Sequence, residues 1–342
     1  MSPPDSSPVP RVAVLGCGYW GRNLVRNFHG LGALAAVVDP APAGRALAAE
    51  LAPEIPVFDS LDDARCETSL QAVAIATPAA THFTTATHAM RSGFDVFVEK
   101  PLALSVENGS ALVAQAASAG RILQVGHLLE YHPALSLLGQ WVRSGKLGRL
   151  RRLQAHRLNW GKVRTEEDAL WSLAPHDLAV ILRLAGTFPT SVTCRGSHIL
   201  GTPRADTTVA TLAFPGGVEA HVLSSWYHPF KEQRIIVTGD QGIAVFDDVS
   251  RENKLSFHKQ SVHWRDETTP VLEQNPAEPA LLTDEEPLRL ECAAFLDAIE
   301  TRRPPLADGR SGLRVLGVLD ACRRSMLQGG APVTCHLPPH AV

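Results

Sequence analysis

The sequence predicts a chain of two domains: an α/β domain with a parallel sheet, followed by an α+β domain with an open, mostly antiparallel sheet. Its 342 residues exceed the size at which a single hydrophobic core usually stops growing. From residue 11 to about 127, short apolar runs alternate with longer amphipathic segments, the pattern of a parallel sheet covered by helices. Residues 205–248 read as short strands separated by glycine-containing turns, which is typical of an antiparallel meander. We therefore expect domains at 11–128 and 129–342, preceded by a disordered tail at 1–10.

Five strands and four helices are expected in the first domain. Each expected strand is a short apolar run, and each expected helix places apolar residues three and four positions apart. The strands are expected at 11–16, 33–39, 72–77, 95–100 and 121–126, and the helices at 19–30, 41–52, 81–92 and 105–119. This alternation predicts a doubly wound sheet, in which ligands collect at the carboxyl ends of the strands.

The second domain is expected to contain helices on either side of its meander. Its first helix is expected at about 133–144, before a strand around 149–159 and a second helix at 175–186. A polar stretch at 264–286, rich in Pro and Glu, is expected to form a loop before closing helices at about 287–301 and 310–327. The closing helices are expected to leave part of the apolar face of the meander uncovered, which favours a homodimer or homotetramer.

Composition excludes several classes of protein. The chain is 45% hydrophobic and 20% charged with a formal net charge of -3, and it has no block of basic residues to bind nucleic acid. Its six cysteines are scattered without metal-site spacing, so we expect reduced thiols, no metal, and a cytoplasmic location. The first ten residues lack the pattern of a secretion signal, and no run of 18 apolar residues predicts a membrane span.

A glycine-rich loop follows the first predicted strand. Gly16, Gly18 and Gly21 have the G-x-G-x-x-G spacing, with a strand before them and a helix after them. Such a loop lets the backbone and the helix N-terminus approach a pyrophosphate. Asp39, at the end of the second strand, has the spacing of a carboxylate that binds a ribose 2′-hydroxyl, which favours NAD over NADP. Asp39 could alternatively cap a turn, and Arg45 could weaken the preference for NAD.

Further residues on the cofactor side are those at the predicted carboxyl edge of the sheet. Thr77 and Pro78 end the predicted strand at 72–77 and are expected to line the nicotinamide ribose. His82 is a cofactor-side candidate for which a structural role is favoured. The full set of additional cofactor candidates is Tyr19, Trp20, Thr77, Pro78, His82, Glu99 and Lys100.

Four motifs together resemble the Gfo/Idh/MocA oxidoreductases. They are the glycine loop, ATPAATH at 76–82, EKPLAL at 99–104 and VGHLLEYHPA at 125–134. The resemblance runs over essentially the whole chain. It implies that Lys100 contacts the substrate hydroxyl and takes part in proton transfer, and that the C-terminal sheet mediates oligomerisation. The chemistry agrees, because oxidation of an alcohol by hydride transfer needs a group that accepts the hydroxyl proton.

His176 is the second catalytic candidate. Many members of the resembled family carry D-x-x-x-H at this point, whereas this chain has Ser172 in the position of the aspartate and retains the histidine. We expect His176 to contact substrate or transfer a proton, the alternative being a buried core histidine. Asp177 is expected to be structural.

The segment 158–177 resembles the subgroup that oxidises nucleotide-linked sugars at carbon 3, such as UDP-N-acetylglucosaminuronate 3-dehydrogenases. A pocket wall containing Arg157, Lys162 and Arg164 would suit a diphosphate or carboxylate, although basic residues on an exposed loop are usually only solvated. The substrate-side candidates are Lys100, Tyr131, His132, Arg157, Asn159, Arg164 and His176.

The leading hypothesis is therefore an NAD-dependent enzyme that oxidises a secondary hydroxyl of a sugar nucleotide and supplies an aminotransferase. The alternatives are a dehydrogenase of a free or phosphorylated sugar or of a cyclitol, and a 3-ketosugar reductase. A non-catalytic regulator that senses the NAD/NADH ratio is disfavoured, because sensing requires neither Lys100 nor His176.

Overall fold

The computed structural model describes residues 9–161 and 163–341. Most of the tail predicted at 1–10, together with Lys162, lies outside the described residues. The chain divides into two compact units. The first comprises Met1–Leu128, Glu286–Leu313 and Pro339–Val342, and the second comprises Leu129–Glu285 and Arg314–Pro338.

The first unit contains a six-stranded parallel sheet in the order β3-β2-β1-β4-β5-β6. Its strands are β1 (Val12–Leu15), β2 (Leu34–Val38), β3 (Val57–Phe58), β4 (Ala72–Ile75), β5 (Asp95–Glu99) and β6 (Leu123–Gly126). Its helices within the N-terminal stretch are α1 (Gly21–Gly30), α2 (Pro42–Leu51), α3 (Leu61–Glu67), α4 (His82–Arg91) and α5 (Val106–Ala119). The predicted doubly wound sheet is confirmed, and its order reverses between β1 and β4, the position where such sheets bind ligands.

Two elements of this unit were not predicted. The two-residue strand β3 is too short to show a periodic pattern, and α3 spans less than two full turns. The start of α3 carries a local signal, because the Ser60 hydroxyl accepts a hydrogen bond from the backbone N–H of Asp63 as an N-cap.

The second unit contains a nine-stranded sheet in the order β16-β13-β12-β11-β7-β10-β9-β8-β17. Neighbouring strands are antiparallel except β7 and β10, which are parallel. The strands are β7 (Leu150–Trp160), β8 (Ser191–Ser197), β9 (Thr207–Ala213), β10 (Glu219–Ser225), β11 (Tyr227–Gly239), β12 (Ile243–Asp247), β13 (Leu255–His258), β16 (Glu278–Pro279) and β17 (Val333–Thr334). A separate hairpin pairs β14 (Gln260–Trp264) with β15 (Pro270–Gln274). The open, mostly antiparallel sheet is confirmed.

The helices of this part of the chain are α6 (Pro133–Arg143) and α7 (Ala169–Ala185), and α9 (Gly309–Leu327) passes from the first unit into the second. The predicted helix at 175–186 begins earlier, at Ala169, because the Asp168 carboxylate caps it by accepting a hydrogen bond from the Trp171 N–H at 3.0 Å. The loop predicted at 264–286 is partly wrong, since β15 and β16 lie within it.

The helix α8 (Pro287–Thr301) belongs to the first unit, although all of 129–342 was predicted to form the second domain. Its apolar stripe packs in the same core as α1 and β5. There Phe28, Phe97 and Phe295 pack edge to face, with ring centroids 5.8 to 6.5 Å apart. The stripe predicts a buried helix face, but it does not identify the surface that covers that face.

Within the described ranges, no helix is both long enough and apolar enough to cross a membrane.

Candidate active site

The glycine loop between β1 and α1 has the geometry of a dinucleotide-binding turn. Gly16 has a φ of +91°, which L side chains rarely adopt, and a Cβ there would lie 2.9 Å from the Ala76 carbonyl oxygen. A Cβ on Gly21 would overlap the carbonyl of Gly16. A Cβ on Gly18, by contrast, would meet no described atom within 4 Å. Gly16 and Gly21 therefore permit the chain to pack, while Gly18 leaves the backbone open to a ligand, as a pyrophosphate requires.

Asp39 follows β2 and lies against this loop. Its buried carboxylate accepts hydrogen bonds from the backbone N–H groups of Cys17 and Ala41, each at 2.8 Å. The bond from Ala41 is the turn-capping contact considered as an alternative, and the bond from Cys17 fixes the carboxylate to the glycine loop. Arg45 could weaken the preference for NAD over NADP. Its guanidinium instead donates hydrogen bonds to the backbone carbonyls of Asp39 and Pro40.

The loop residues Tyr19 and Trp20 differ in their surroundings. Tyr19 is 78% exposed, and the guanidinium of Arg22 lies 5.5 Å from the centre of its ring. The Trp20 indole N–H donates a hydrogen bond to the carboxylate of Glu99. Trp20 thus connects the glycine loop to the end of β5.

Glu99 is the last residue of β5, and its carboxylate is buried. Its second oxygen accepts from the Lys100 backbone N–H at 3.2 Å. On the paired strand, a Cβ on Gly126 would lie 2.8 Å from this oxygen, so the glycine leaves room for the carboxylate. Burial raises the pKa of Glu99 to about 7, against the lowering effects of Trp20 and Lys100.

Lys100 is half-buried directly after β5, at the carboxyl edge of the sheet. The pKa of His127 is lowered to about 3, mainly by burial and to a smaller extent by the charge of Lys100. This buried imidazole is therefore neutral at physiological pH. His127 was not singled out in the sequence, although it lies within the motif at 125–134. The ammonium of Lys100 therefore shares its surroundings with a carboxylate and a neutral histidine.

His82 begins α4 and is almost completely buried. Its Nδ1 lies 2.8 Å from the Pro101 carbonyl oxygen, and its Nε2 lies 2.9 Å from the Thr77 carbonyl oxygen. Thr77 and Pro78 follow β4, and Pro78 is exposed. Because both nitrogens of His82 face backbone carbonyls, its contacts favour the structural role over direct contact with a cofactor.

Glu291 on α8 is a further acid in the first unit, and it was not among the residues predicted to be functional. It is 0% exposed, and neither carboxyl oxygen has a hydrogen-bond partner among the described residues. Its pKa is raised well above the usual range, mainly by burial and to a smaller extent by the charge of Glu99. In the sequence, the feature that could have identified Glu291 is its position within the apolar stripe formed by Leu288, Cys292 and Phe295.

In the second unit, Arg157 and Asp177 form a buried ion pair. The Nε and Nη2 atoms of Arg157 donate to the two carboxylate oxygens of Asp177, each at 2.8 Å. The pair joins β7 to α7 one residue from His176, which is half-buried. The expected structural role of Asp177 agrees with these contacts, whereas Arg157 is engaged by this carboxylate rather than directed to an anionic ligand.

The other substrate-side candidates are dispersed within the second unit. Asn159 lies two residues beyond Arg157 on β7 and is half-buried, while Arg164 lies 3.8 Å from the carboxylate of Glu167. His132 is buried and caps α6 by accepting from the Ala134 N–H at 3.1 Å. Its Nε2 lies 3.6 Å from Asp248, so its contacts favour a structural role. Tyr131 is buried at the start of this unit.

The parallel sheet, the open glycine loop and the fixed Asp39 carboxylate define the first unit as an NAD-binding Rossmann domain. Two family models match the chain: an oxidoreductase family NAD-binding Rossmann fold over residues 10–127, and the C-terminal alpha/beta domain of the same family over residues 142–335. The chain therefore belongs to the Gfo/Idh/MocA oxidoreductase family.

Several known proteins are similar over most of the chain. A UDP-N-acetylglucosamine 3-dehydrogenase of Acidithiobacillus ferrooxidans is 31% identical over 309 residues, covering 90% of this chain and 94% of that protein. Its solved structure superposes with a TM-score of 0.79 at 29% identity, covering 93% of this chain and 98% of that chain.

More distant relatives act on other sugars and on cyclitols. A 2,7-anhydro-N-acetylneuraminate hydratase of Escherichia coli is 27% identical, covering 73% of this chain and 71% of that protein. An inositol 2-dehydrogenase of Burkholderia multivorans is 24% identical, covering 93% of this chain and 94% of that protein.

Proposed function

We propose that the protein is an NAD-dependent dehydrogenase that oxidises the carbon-3 hydroxyl of a UDP-linked N-acetylated amino sugar. The observation that carries this proposal is the similarity to UDP-N-acetylglucosamine 3-dehydrogenase over 90% of the chain, together with a lysine at the carboxyl end of β5. The resemblance of the segment 158–177 favoured the uronate form of such a sugar. This similarity makes the neutral sugar the first substrate to test.

The first unit offers the groups that would hold NAD. The backbone at Gly18 and the N-terminus of α1 suit the pyrophosphate, and the carboxylate of Asp39 suits a ribose hydroxyl. When bound, NAD supplies the acceptor for the hydride that leaves the sugar carbon. Thr77 and Pro78 remain our candidates for the nicotinamide ribose.

Lys100 is proposed to accept the hydroxyl proton. As the alcohol becomes a ketone, the carbon loses a hydride and the oxygen loses a proton, so a neutral amine on Lys100 balances the step. The buried Glu99 next to it lets the ammonium that forms be partly neutralised. Reduction of the ketone would use the same residues in reverse.

In the second unit, His176 is the proposed second polar group for the substrate, with Asn159 as a candidate hydrogen-bonding residue. The Arg157–Asp177 pair would fix the backbone next to His176 and is not proposed to touch substrate. Arg164 stays a candidate for the diphosphate, and Tyr131 and His132 are not carried further because both are buried.

A substrate comparison tests this proposal. Purified protein with NAD is supplied with UDP-N-acetylglucosamine, its uronate, N-acetylglucosamine 1-phosphate or myo-inositol, and NADH formation is measured. We expect the highest kcat/KM with UDP-N-acetylglucosamine. Preference for inositol would support the cyclitol alternative, for which the similarity to inositol 2-dehydrogenase is the favouring observation. Tight NAD binding without turnover of any of the four compounds would instead support a non-catalytic regulator that senses the NAD/NADH ratio.

We also propose a cytoplasmic homo-oligomer assembled through the open face of the second unit's sheet. Residues that alternate with buried ones on β9 and β7 leave apolar groups exposed there, among them Val209 at 52% and Trp160 at 71%. The cytoplasmic location in this proposal is supported by the six cysteines, which are all free thiols, as is usual in a reducing compartment. Light scattering on wild type and Val209→Glu would test the assembly, because a charge on an interface should release smaller species.

A further inference from the structure

His82 holds together two segments of the first unit that lie at the carboxyl edge of the sheet. Its ring nitrogens face the Thr77 carbonyl after β4 and the Pro101 carbonyl after β5, at 2.9 and 2.8 Å. His82 is 1% exposed, and its contact with Pro101 is shielded from bulk solvent. Pro101 directly follows the proposed proton acceptor, Lys100.

Only one of the two contacts is a full hydrogen bond while the imidazole is neutral. Both partners are carbonyl oxygens, and a neutral imidazole carries a single N–H. Burial and the charge of Lys100 lower the pKa of His82, which favours the neutral ring. The contact with Pro101 is fully buried, whereas the contact with Thr77 is only partly buried. Since leaving the more deeply buried carbonyl oxygen without a donor costs more free energy, the single proton is best placed on Nδ1, facing Pro101.

The bond to Pro101 restrains Lys100 from its C-terminal side. The proline ring fixes its own φ, so holding its carbonyl also restricts the peptide unit that joins it to Lys100. On the other side, the N–H of Lys100 donates to the Glu99 carboxylate at 3.2 Å. The backbone of Lys100 is therefore restrained on both sides by buried side chains.

We propose that His82 is a positioning residue for Lys100, acting through the hydrogen bond from its Nδ1 to the Pro101 carbonyl. This inference rests on the proposed role of Lys100 as proton acceptor. Its consequence is that a misplaced Lys100 slows proton transfer while NAD binding persists. Misplacement of a catalytic group by about 1 Å can reduce the rate by a factor of about 100.

Two amide variants separate the two contacts of His82. The side-chain nitrogen of His82→Asn stands near the position of Nδ1 and can donate to Pro101, whereas that of His82→Gln stands near Nε2 and can donate to Thr77. We expect kcat of the asparagine variant to stay within about threefold of wild type and kcat of the glutamine variant to fall about 10–100-fold, with little change in KM for NAD. Equal kcat for the two variants, or the reverse order, would overturn the proposal.

A second measurement needs no substrate. Unliganded proteins are treated briefly with an amine-reactive anhydride, and labelling of Lys100 is compared by mass spectrometry with that of the exposed Lys259. The labelling ratio should match wild type in His82→Asn and differ in His82→Gln. An unchanged ratio in both variants contradicts the inference. If the ratio changes in His82→Gln but wild type turns over none of the sugars, the role of His82 in positioning Lys100 is supported and the proposed dehydrogenase function is contradicted.

Discussion

The Trp20 indole N–H donates a hydrogen bond to the buried carboxylate of Glu99, and this bond joins the glycine loop to the strand end that carries Lys100. The same carboxylate also accepts the N–H of Lys100. The residues proposed to hold the cofactor and the residue proposed to accept the proton therefore share one acidic group. Its charge state should influence both.

We predict that the affinity for NAD depends on pH through Glu99. Burial raises the pKa of this group to about 7, so its negative charge develops as the pH rises through neutrality and favours the positively charged oxidised nicotinamide. Trp20→Phe removes a bond that lowers this pKa, which should move the midpoint to higher pH. Calorimetric titration with NAD between about pH 6 and 8.5 gives the affinity at each pH and therefore the midpoint. Glu99→Gln should show no such midpoint, and a midpoint unchanged in both variants would refute the assignment.

Two glycine substitutions in the loop should differ in their effects on stability and on NAD binding. Gly18→Ala places its methyl where no described atom lies within 4 Å, so stability should change by less than about 0.5 kcal/mol while NAD binding is lost. Gly21→Ala forces a methyl onto the carbonyl of Gly16 and should cost about 1–3 kcal/mol. Urea unfolding and NAD titration of both variants check this. Strong NAD binding by Gly18→Ala would show that the loop does not bind pyrophosphate.

Asp39→Asn should weaken the discrimination between NAD and NADP. The charge that repels a 2′-phosphate disappears, so the ratio of the two Kd values should shift by about tenfold or more, equivalent to about 1.4 kcal/mol. One of the two backbone hydrogen bonds to the carboxylate is also lost, with a cost of about 1 kcal/mol. Glu50→Gln, an exposed acid on α2, is the matched control. A ratio unchanged in Asp39→Asn would leave Asp39 with its turn-capping role alone.

Glu291 should make the protein less stable as pH rises. The buried acid keeps its proton in the folded state, because its pKa is well above the usual value near 4.5, and loses it on unfolding. The unfolded state then binds fewer protons, so the free energy of unfolding falls by about 1.4 kcal/mol per pH unit above that value. Glu291→Gln should remove this slope, measured by urea unfolding at several pH values, while Glu50→Gln should keep it. Parallel slopes for wild type and Glu291→Gln would show that Glu291 ionises when folded.

The class of the fold follows from local patterns in the sequence. Apolar runs separated by amphipathic segments specify parallel strands and helices, and the spacing of Gly16, Gly18 and Gly21 identifies the turn that needs them. The position of α8 could not be predicted in this way. Its apolar stripe shows that one face is buried, but the core it joins is separated from it by more than 150 residues of sequence.

The candidate site was predicted less completely because the roles of polar side chains depend on their partners. Nothing in the sequence around Arg157 indicates that Asp177, 20 residues away, accepts hydrogen bonds from two of its guanidinium nitrogens. The backbone partners of His132 and His82, which decide what these side chains do, likewise cannot be identified from the sequence. Glu291 escaped notice because a single glutamate does not interrupt an otherwise apolar stripe.

The proposed role of Lys100 is tested by measuring NADH formation from UDP-N-acetylglucosamine with wild type and with Lys100→Met. Methionine removes the amine while retaining an unbranched chain, and Lys259→Met is the control for loss of a lysine. We expect turnover by wild type and by the control. We also expect kcat of Lys100→Met to fall by about 100-fold or more, with NAD still bound. Wild-type protein that binds NAD but forms no NADH from this sugar, or a Lys100→Met variant as active as wild type, would contradict the proposal.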